Sequence, residues 1–226
     1  MQVESDDGDE MTAKRRYQLL CPIARALDAI GDRWALLILR DLHAGPARFK
    51  DLETGLGLAT NLLSTRLTEL TEAGSIEKST DLERPGYQLT ELGRHTDRLL
   101  WELSQFGGRL DPDPDPREPG NLRTIALPLR LALEAVPDRP NLIARLLVDT
   151  DSFTIVSTDD RIEVNYGDTS REPDLVVRTD YEGFLDAAEG RISAEDFANR
   201  HLEIVDGAAH LQTFLTLMAA AMTHTA

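Results

Sequence analysis

The 226-residue sequence has one cysteine, Cys21, so no disulfide can form within the chain and nothing points to an oxidising compartment. Long apolar runs are also missing. The longest, Trp34 to Leu39 and Leu217 to Met222, fall far short of the ~20 residues a membrane helix needs. The first ten residues carry five acids and no apolar stretch, unlike a signal peptide, so no membrane partner is expected and the cytoplasm is the expected location. Lysine occurs only at positions 14, 50 and 78, the other 21 bases being arginine, a bias that genome composition explains as readily as recognition. Metal-ligand clusters, phosphate-cradling loops and nucleophile motifs are lacking: His201 and His210 stand nine apart without nearby cysteines, and Gly167 and Gly207 are lone turn candidates. Neither a cofactor, a metal nor catalysis is expected.

What is present is acid, unevenly spread. The formal charge of −16 argues against general nucleic-acid affinity, which needs Lys and Arg to neutralise phosphates. Residues 11–110, however, hold 14 bases against 13 acids, whereas residues 111–226 hold 10 against 22. The near-neutral half is the better DNA candidate.

Four segments follow from composition. Gly107-Gly108, the alternating Asp/Pro run 111–116 and Pro119-Gly120 cannot continue a helix or sit inside a sheet, because each proline lacks a donor and restrains its predecessor. The expected division is a disordered acidic N-terminus at 1–12, a first domain at 13–108, an extended linker at 109–120 and a second domain at 121–226.

In the first domain, Pro22 suits a first helical turn, and Ile23, Leu27 and Ile30 recur at helical spacing up to Gly31. Asp32 can cap a second helix, Arg33 to Leu42, apolar almost all round. Gly45-Pro46 precedes one short helix with Phe49, Leu52 and Leu56; Gly55 and Gly57 precede another with Leu63, Leu67 and Leu70. After Gly74, Ser75 to Lys78 and Gly86 to Leu89 read as strands, and Thr90 as the cap of a helix through Phe106. This is the order of a winged helix-turn-helix. On the helix wheel Asn61, Ser64, Thr65 and Thr68 oppose the three leucines, and with Thr60 they form the expected reading face, since Asn can pair with adenine and Ser or Thr with bases or phosphates. An ordinary solvated face is the competing explanation. Arg48, Lys50, Lys78 and Arg84 are candidate phosphate contacts, although Asp81 and Glu83 at the hairpin tip would repel phosphate.

Beyond this generic pattern, Cys21-Pro-Ile-Ala-Arg-Ala-Leu-Asp-Ala-Ile-Gly-Asp-Arg-Trp34 and Ala35-Leu-Leu-Ile-Leu-Arg-Asp-Leu42 resemble the opening of HxlR-type regulators. Phe49-Lys-Asp-Leu52, Asn61 to Leu70, Glu72-Ala-Gly74 and Tyr87 to Gly93 continue the resemblance in order, over about residues 17–107. It implies a homodimer with its reading helices in successive major grooves of a pseudo-palindromic double-stranded operator. Leu92, Leu99, Leu103 and Phe106 would form its seam, with Trp101 at the edge, or pack within one chain. Cys21 matches the cysteine that some members use as a redox sensor; a small buried side chain is the alternative.

The second domain reads as a helix at Asn121 to Val136, shortened or kinked by Pro128, followed by β-β-β-β-α-α-β-α. Asp159-Asp160 suits a hairpin turn and Ser193 with Asp196 a capping box. Asp174 to Asp180, Gly190 to Ser193 and Leu202 to Gly207 are similar to the sterol-carrier-protein-like fold. That similarity implies an antiparallel sheet covered by helices with an apolar tunnel, in which Phe184, Phe197, Phe214 and Leu215 would contact an apolar small-molecule ligand; otherwise they are core. The whole is thus expected to be a two-domain α+β DNA-binding transcriptional regulator sensing an apolar molecule. The alternative is a lipid-binding or protein-interaction module whose winged helix no longer binds DNA.

Overall fold

A computed structural model describes residues 17–80, 85–110, 121–167, 169–188 and 191–223. The hairpin tip with Asp81, Glu83 and Arg84, the acidic N-terminus and the Asp/Pro run lie outside them.

The N-terminal half runs α1 (Pro22–Ile30), α2 (Arg33–Leu42), β1 (Ala47–Arg48), α3 (Phe49–Leu56), α4 (Thr60–Glu72), β2 (Ile76–Ser79), β3 (Gly86–Leu89), α5 (Glu91–Arg94) and α6 (Asp97–Gly107). Asp32 caps α2 as the sequence suggests, its carboxylate accepting from the amides of Trp34 (2.9 Å) and Ala35 (3.4 Å). The helix expected from Thr90 to Phe106 is two. Thr90 caps only α5, accepting from the Gly93 amide, and the chain breaks at Thr96, whose hydroxyl turns back to donate to the Gly93 carbonyl at 2.7 Å. Ile38, Leu39, Leu52, Leu63, Leu67, Leu70 and Ile76 form the centre of the first core, each at most 1% exposed. β1 adds a third strand the sequence did not announce, giving the sheet order β1-β3-β2.

The C-terminal half opens with a 3-10 turn, Leu122–Ile125, and α7 (Ala126–Glu134). Pro128 sits in the first turn of α7, where its missing donor costs least. Then come β4 (Leu142–Val148), β5 (Asp151–Ser157), β6 (Ile162–Tyr166), β7 (Leu175–Thr179), α8 (Tyr181–Ala188), α9 (Ala194–Arg200), β8 (Glu203–Asp206) and α10 (Leu211–Thr223). The anticipated order holds, as do the 159–160 turn and the Ser193 cap, whose hydroxyl accepts from the Asp196 amide. The sheet, ordered β6-β5-β4-β7-β8, is mixed rather than antiparallel throughout: β4 and β7 run parallel. After the β4-β5-β6 meander the chain crosses to the far side of β4 before re-entering, which is the connection a parallel pair requires. α7, α8 and α10 cover one face of this sheet, around Leu133, Phe153, Phe184 and Phe214.

The two halves share a helix. Leu127 and Leu131, one turn apart on α7, complete the N-terminal core, while Ala126, Leu129, Ala132 and Leu133 on its other face complete the C-terminal one. Conversely Ala44, from the loop after α2, lies in the C-terminal core, and its carbonyl accepts from the Tyr166 amide at 2.8 Å.

Candidate nucleic-acid interface

The turn between α3 and α4 closes at Gly57, whose positive φ of 62° favours glycine; the Leu58 amide reaches back to the Glu53 carbonyl (3.1 Å) and Leu58 itself is buried. This sets α4 with Leu63, Leu67 and Leu70 inward, at 0%, 1% and 0% exposed. Thr60, Asn61, Ser64, Thr65 and Thr68 are exposed. The hydroxyls of Thr65 and Thr68 donate to the carbonyls of Asn61 (2.9 Å) and Ser64 (3.0 Å), so each presents an acceptor lone pair outward. Arg66, between these polar positions, is tied to Asp32 (2.9 Å) and Glu69 (2.7 Å), fixing α4 to the start of α2.

The candidate phosphate contacts separate on inspection. Arg48 ends β1 and precedes α3, its amide donating to Asp51 (3.0 Å). Lys78 on β2 is exposed, its ammonium 3.8 Å from the centre of the Tyr87 ring. Lys50 is exposed but pairs with Glu53 at 2.6 Å. Glu53 was not anticipated: hydrogen bonds from Lys50 and then from the Thr60 hydroxyl hold its carboxyl below the ordinary range. A carboxylate thus stands beside the N-terminus of α4, an end whose free amides favour anions. Glu53→Gln is expected to raise DNA affinity several-fold by freeing Lys50, with a steeper dependence on salt concentration in a titration series. An unchanged slope would show that Lys50 makes no phosphate contact.

The remaining expected residues lie elsewhere. Cys21 is the half-buried N-cap residue of α1 and makes no capping hydrogen bond. Phe184, Phe197 and Phe214 are buried (6%, 4% and 1% exposed); Phe214 lies in the sheet-side core with Phe184, and Leu215 packs against it. No helix among the described residues is long and apolar enough to cross a membrane.

Apolar side chains also stay uncovered. Leu20, Ile23 and Leu27, at and just before α1, are 106%, 70% and 47% exposed; Leu99, Leu103 and Phe106 on α6 are 43%, 43% and 62% exposed. Of α1 only Ala24 and Ile30 are buried. Leu36, Leu37, Trp101 and Leu103 line an apolar groove of about 400 Å³ beside α6.

A family model described as HxlR-like helix-turn-helix matches residues 29–113. The HTH-type transcriptional regulator Rv3095 of Mycobacterium tuberculosis, itself uncharacterised, is 41% identical over 96 residues, covering 41% of this chain and 61% of that relative. The chain therefore spans less than two thirds of that relative's length. YvaP of Bacillus subtilis, likewise an uncharacterised HTH-type transcriptional regulator, is 33% identical over 99 residues, or 41% of this chain and 92% of YvaP. A solved UbiJ-SCP2 ubiquinone synthesis protein has 16% identity and a TM-score of 0.29, covering 42% of this chain and 77% of that one. At that level of likeness the sterol-carrier reading of the second half stays an expectation. The matched residues coincide with α2 to α6, the elements that carry α4 and the core beneath it, and on them the chain belongs to the HxlR-like helix-turn-helix family.

Proposed function

We propose that the chain is a cytoplasmic, homodimeric, sequence-specific DNA-binding transcriptional regulator whose C-terminal half senses a small molecule. The observation that carries it is α4: one face locked into the core by three leucines, the other presenting five short polar side chains of the kind that read base edges. Uncovered apolar residues on α1 and α6 support the dimer, since a patch of this kind on a lone chain marks an association surface. A two-fold partner places a second reading helix one DNA turn away on a pseudo-palindromic site. An apolar effector at Phe184, Phe197, Phe214 and Leu215 would require the second core to open, because Phe184 and Phe214 are buried in it and Phe197 is buried as well.

The test is binding to a fragment of the chain's own promoter across a salt series, comparing wild type with Asn61→Ala/Thr65→Ala. Wild type should bind as two chains per site, more weakly at higher salt. The double variant should bind roughly 10- to 100-fold more weakly, the value of about one lost bidentate base contact. Absence of binding at every salt concentration favours instead a protein- or lipid-binding module, a reading that the Lys50–Glu53 pairing and the −16 charge also support.

A further inference from the structure

Three helices drawn from both halves enclose the apolar groove of about 400 Å³, a size within the ~300–1,000 Å³ usual for small-molecule sites, which favour domain interfaces. α2 gives one wall through Leu36 and Leu37, and α6 the second through Trp101 and Leu103. Leu127 and Pro128, in the first turn of α7, give the third. Leu36, Leu37 and Trp101 are only half-buried and Leu103 is exposed, so apolar surface stays in contact with water around a buried Leu127. The family model ends at residue 113, before α7 begins, so the third wall lies outside the matched helix-turn-helix core.

Arg33 and Arg40, two turns apart on the same face of α2 as Leu36 and Leu37, are the only charged residues on this lining among the described residues. They differ in what holds them. Arg40 is neutralised, its Nε and Nη2 both donating to Oδ1 of the fully buried Asp41, at 2.9 and 2.8 Å. Arg33 is exposed; its guanidinium lies 5.3 Å from the centre of the Trp34 ring and makes no ion pair among the described residues. Its neighbour Asp32 is already engaged, capping α2 and pairing with Arg66. Arg33 is also the first residue of α2, the end at which the helix dipole disfavours a cation. Its charge therefore serves neither an ion pair nor its own helix.

We propose that this groove binds an apolar carboxylate of medium chain length, its hydrocarbon body lying between α2, α6 and α7 and its carboxylate pairing with Arg33. Charge complementarity selects this occupant: apolar walls, an unpaired guanidinium and no acid on the lining favour an amphipathic anion over a cation, a zwitterion or a sugar. The hydrocarbon would remove from water the apolar surface that the chain leaves wet. The site is separate from Phe184, Phe197 and Phe214, and needs no core to open. α2 carries Asp32, which holds α4 through Arg66, and Leu103 belongs to the uncovered stripe of α6, so occupancy would bear on both α4 and the dimer seam. This regulatory consequence rests on the DNA-binding reading; occupancy itself does not.

The experiment is calorimetric titration of the full chain with octanoate, and with octanol as the uncharged probe of equal length. Wild type, Arg33→Gln and Leu37→Glu are compared, with circular dichroism to check folding; Arg33 is exposed, so its replacement keeps the test valid if Leu37→Glu misfolds. Arg40 is left in place, because its loss would strand the buried Asp41. Octanoate should bind saturably at concentrations on the order of millimolar or below, roughly fivefold or more tightly than octanol. Arg33→Gln should abolish that preference, and Leu37→Glu should weaken both probes. No saturable octanoate binding, equal affinity for octanol, or indifference to Arg33→Gln would overturn the proposal. Sedimentation of the same preparations covers another occupant: if octanoate does not bind and Leu37→Glu splits a dimer, a second copy of the chain fills the groove and the proposal falls. Operator binding is measured separately with and without octanoate. Octanoate binding that leaves operator affinity unchanged overturns the regulatory consequence, whereas absence of operator binding without octanoate counts against the DNA-binding reading alone.

Discussion

Arg123→Met is expected to destabilise the whole chain by on the order of 3 kcal/mol, although the hydrogen-bond partners of Arg123 lie outside α4. Its guanidinium is buried and caps the C-terminal end of α2 from the other half of the molecule. Nε donates to the Asp41 carbonyl (3.0 Å), Nη2 to those of Gly45 and of Pro46 (3.1 Å), and the plane lies over the Tyr166 ring at 4.9 Å. Beside it Asp41, fully buried, is held by Arg40 (2.8 Å) and by Asn121 (2.7 Å). Asn121 also lies against Gly55 of α3 so closely that a Cβ there would fall 2.5 Å from its amide nitrogen. Met fills similar space but leaves buried carbonyls short of a donor. Arg123→Lys should recover only part of the loss, because a single ammonium cannot serve the three carbonyls with the geometry of a fork. Denaturant unfolding followed by fluorescence of Trp34 and Trp101, both in the N-terminal half, reads the effect. A change below about 1 kcal/mol would show that water satisfies these carbonyls in its place.

The second large effect is a dependence of stability on pH set by His43. Burial, reinforced by the positive charge of Arg130, lowers its pKa from 6.5 to about 4 in the folded chain, against the smaller opposing pull of Asp97. Between those values the unfolded chain takes up a proton that the folded chain refuses, so acid favours unfolding. The stability is complete above about pH 6.5 and declines as pH falls towards about 4, by on the order of 3 kcal/mol across the window. Asp97 and Asp180, whose folded values lie below the ordinary carboxylate range, lose their contributions as pH falls through still lower values, so the two regimes separate. His43→Gln, which keeps a donor for Thr96, should flatten the decline between about 6.5 and 4. An unaltered slope in stability measured over this range would assign it to other groups.

Much of the N-terminal half was legible because its signals are local. Asp32 before an apolar run, leucines at 63, 67 and 70, and glycine after Leu56 each specify a cap, a face or a turn within a few residues, and the structure contains all three. The same locality sets the limit of such signals. Ile23 and Leu27 have the spacing of a packed stripe, yet spacing does not say whether the covering surface belongs to the same chain. The interruption of the helix after Thr90 depends on Thr96, which His43 engages from 53 positions away. Asp41, Asn121 and Arg123 looked unremarkable in the sequence, since their partners lie about 80 residues distant.

By itself, then, the sequence determined most of the elements, the polar face of α4, the family resemblance and the charge difference between the halves, all of which rest on short-range periodicity, capping and composition. Only the tertiary structure decided that the halves share α7, that Glu53 stands beside the start of α4, and that Arg123 locks the two cores together. Each depends on groups brought together from distant positions. A buried charge acquires its meaning from what lies opposite, and the local pattern carries no record of that.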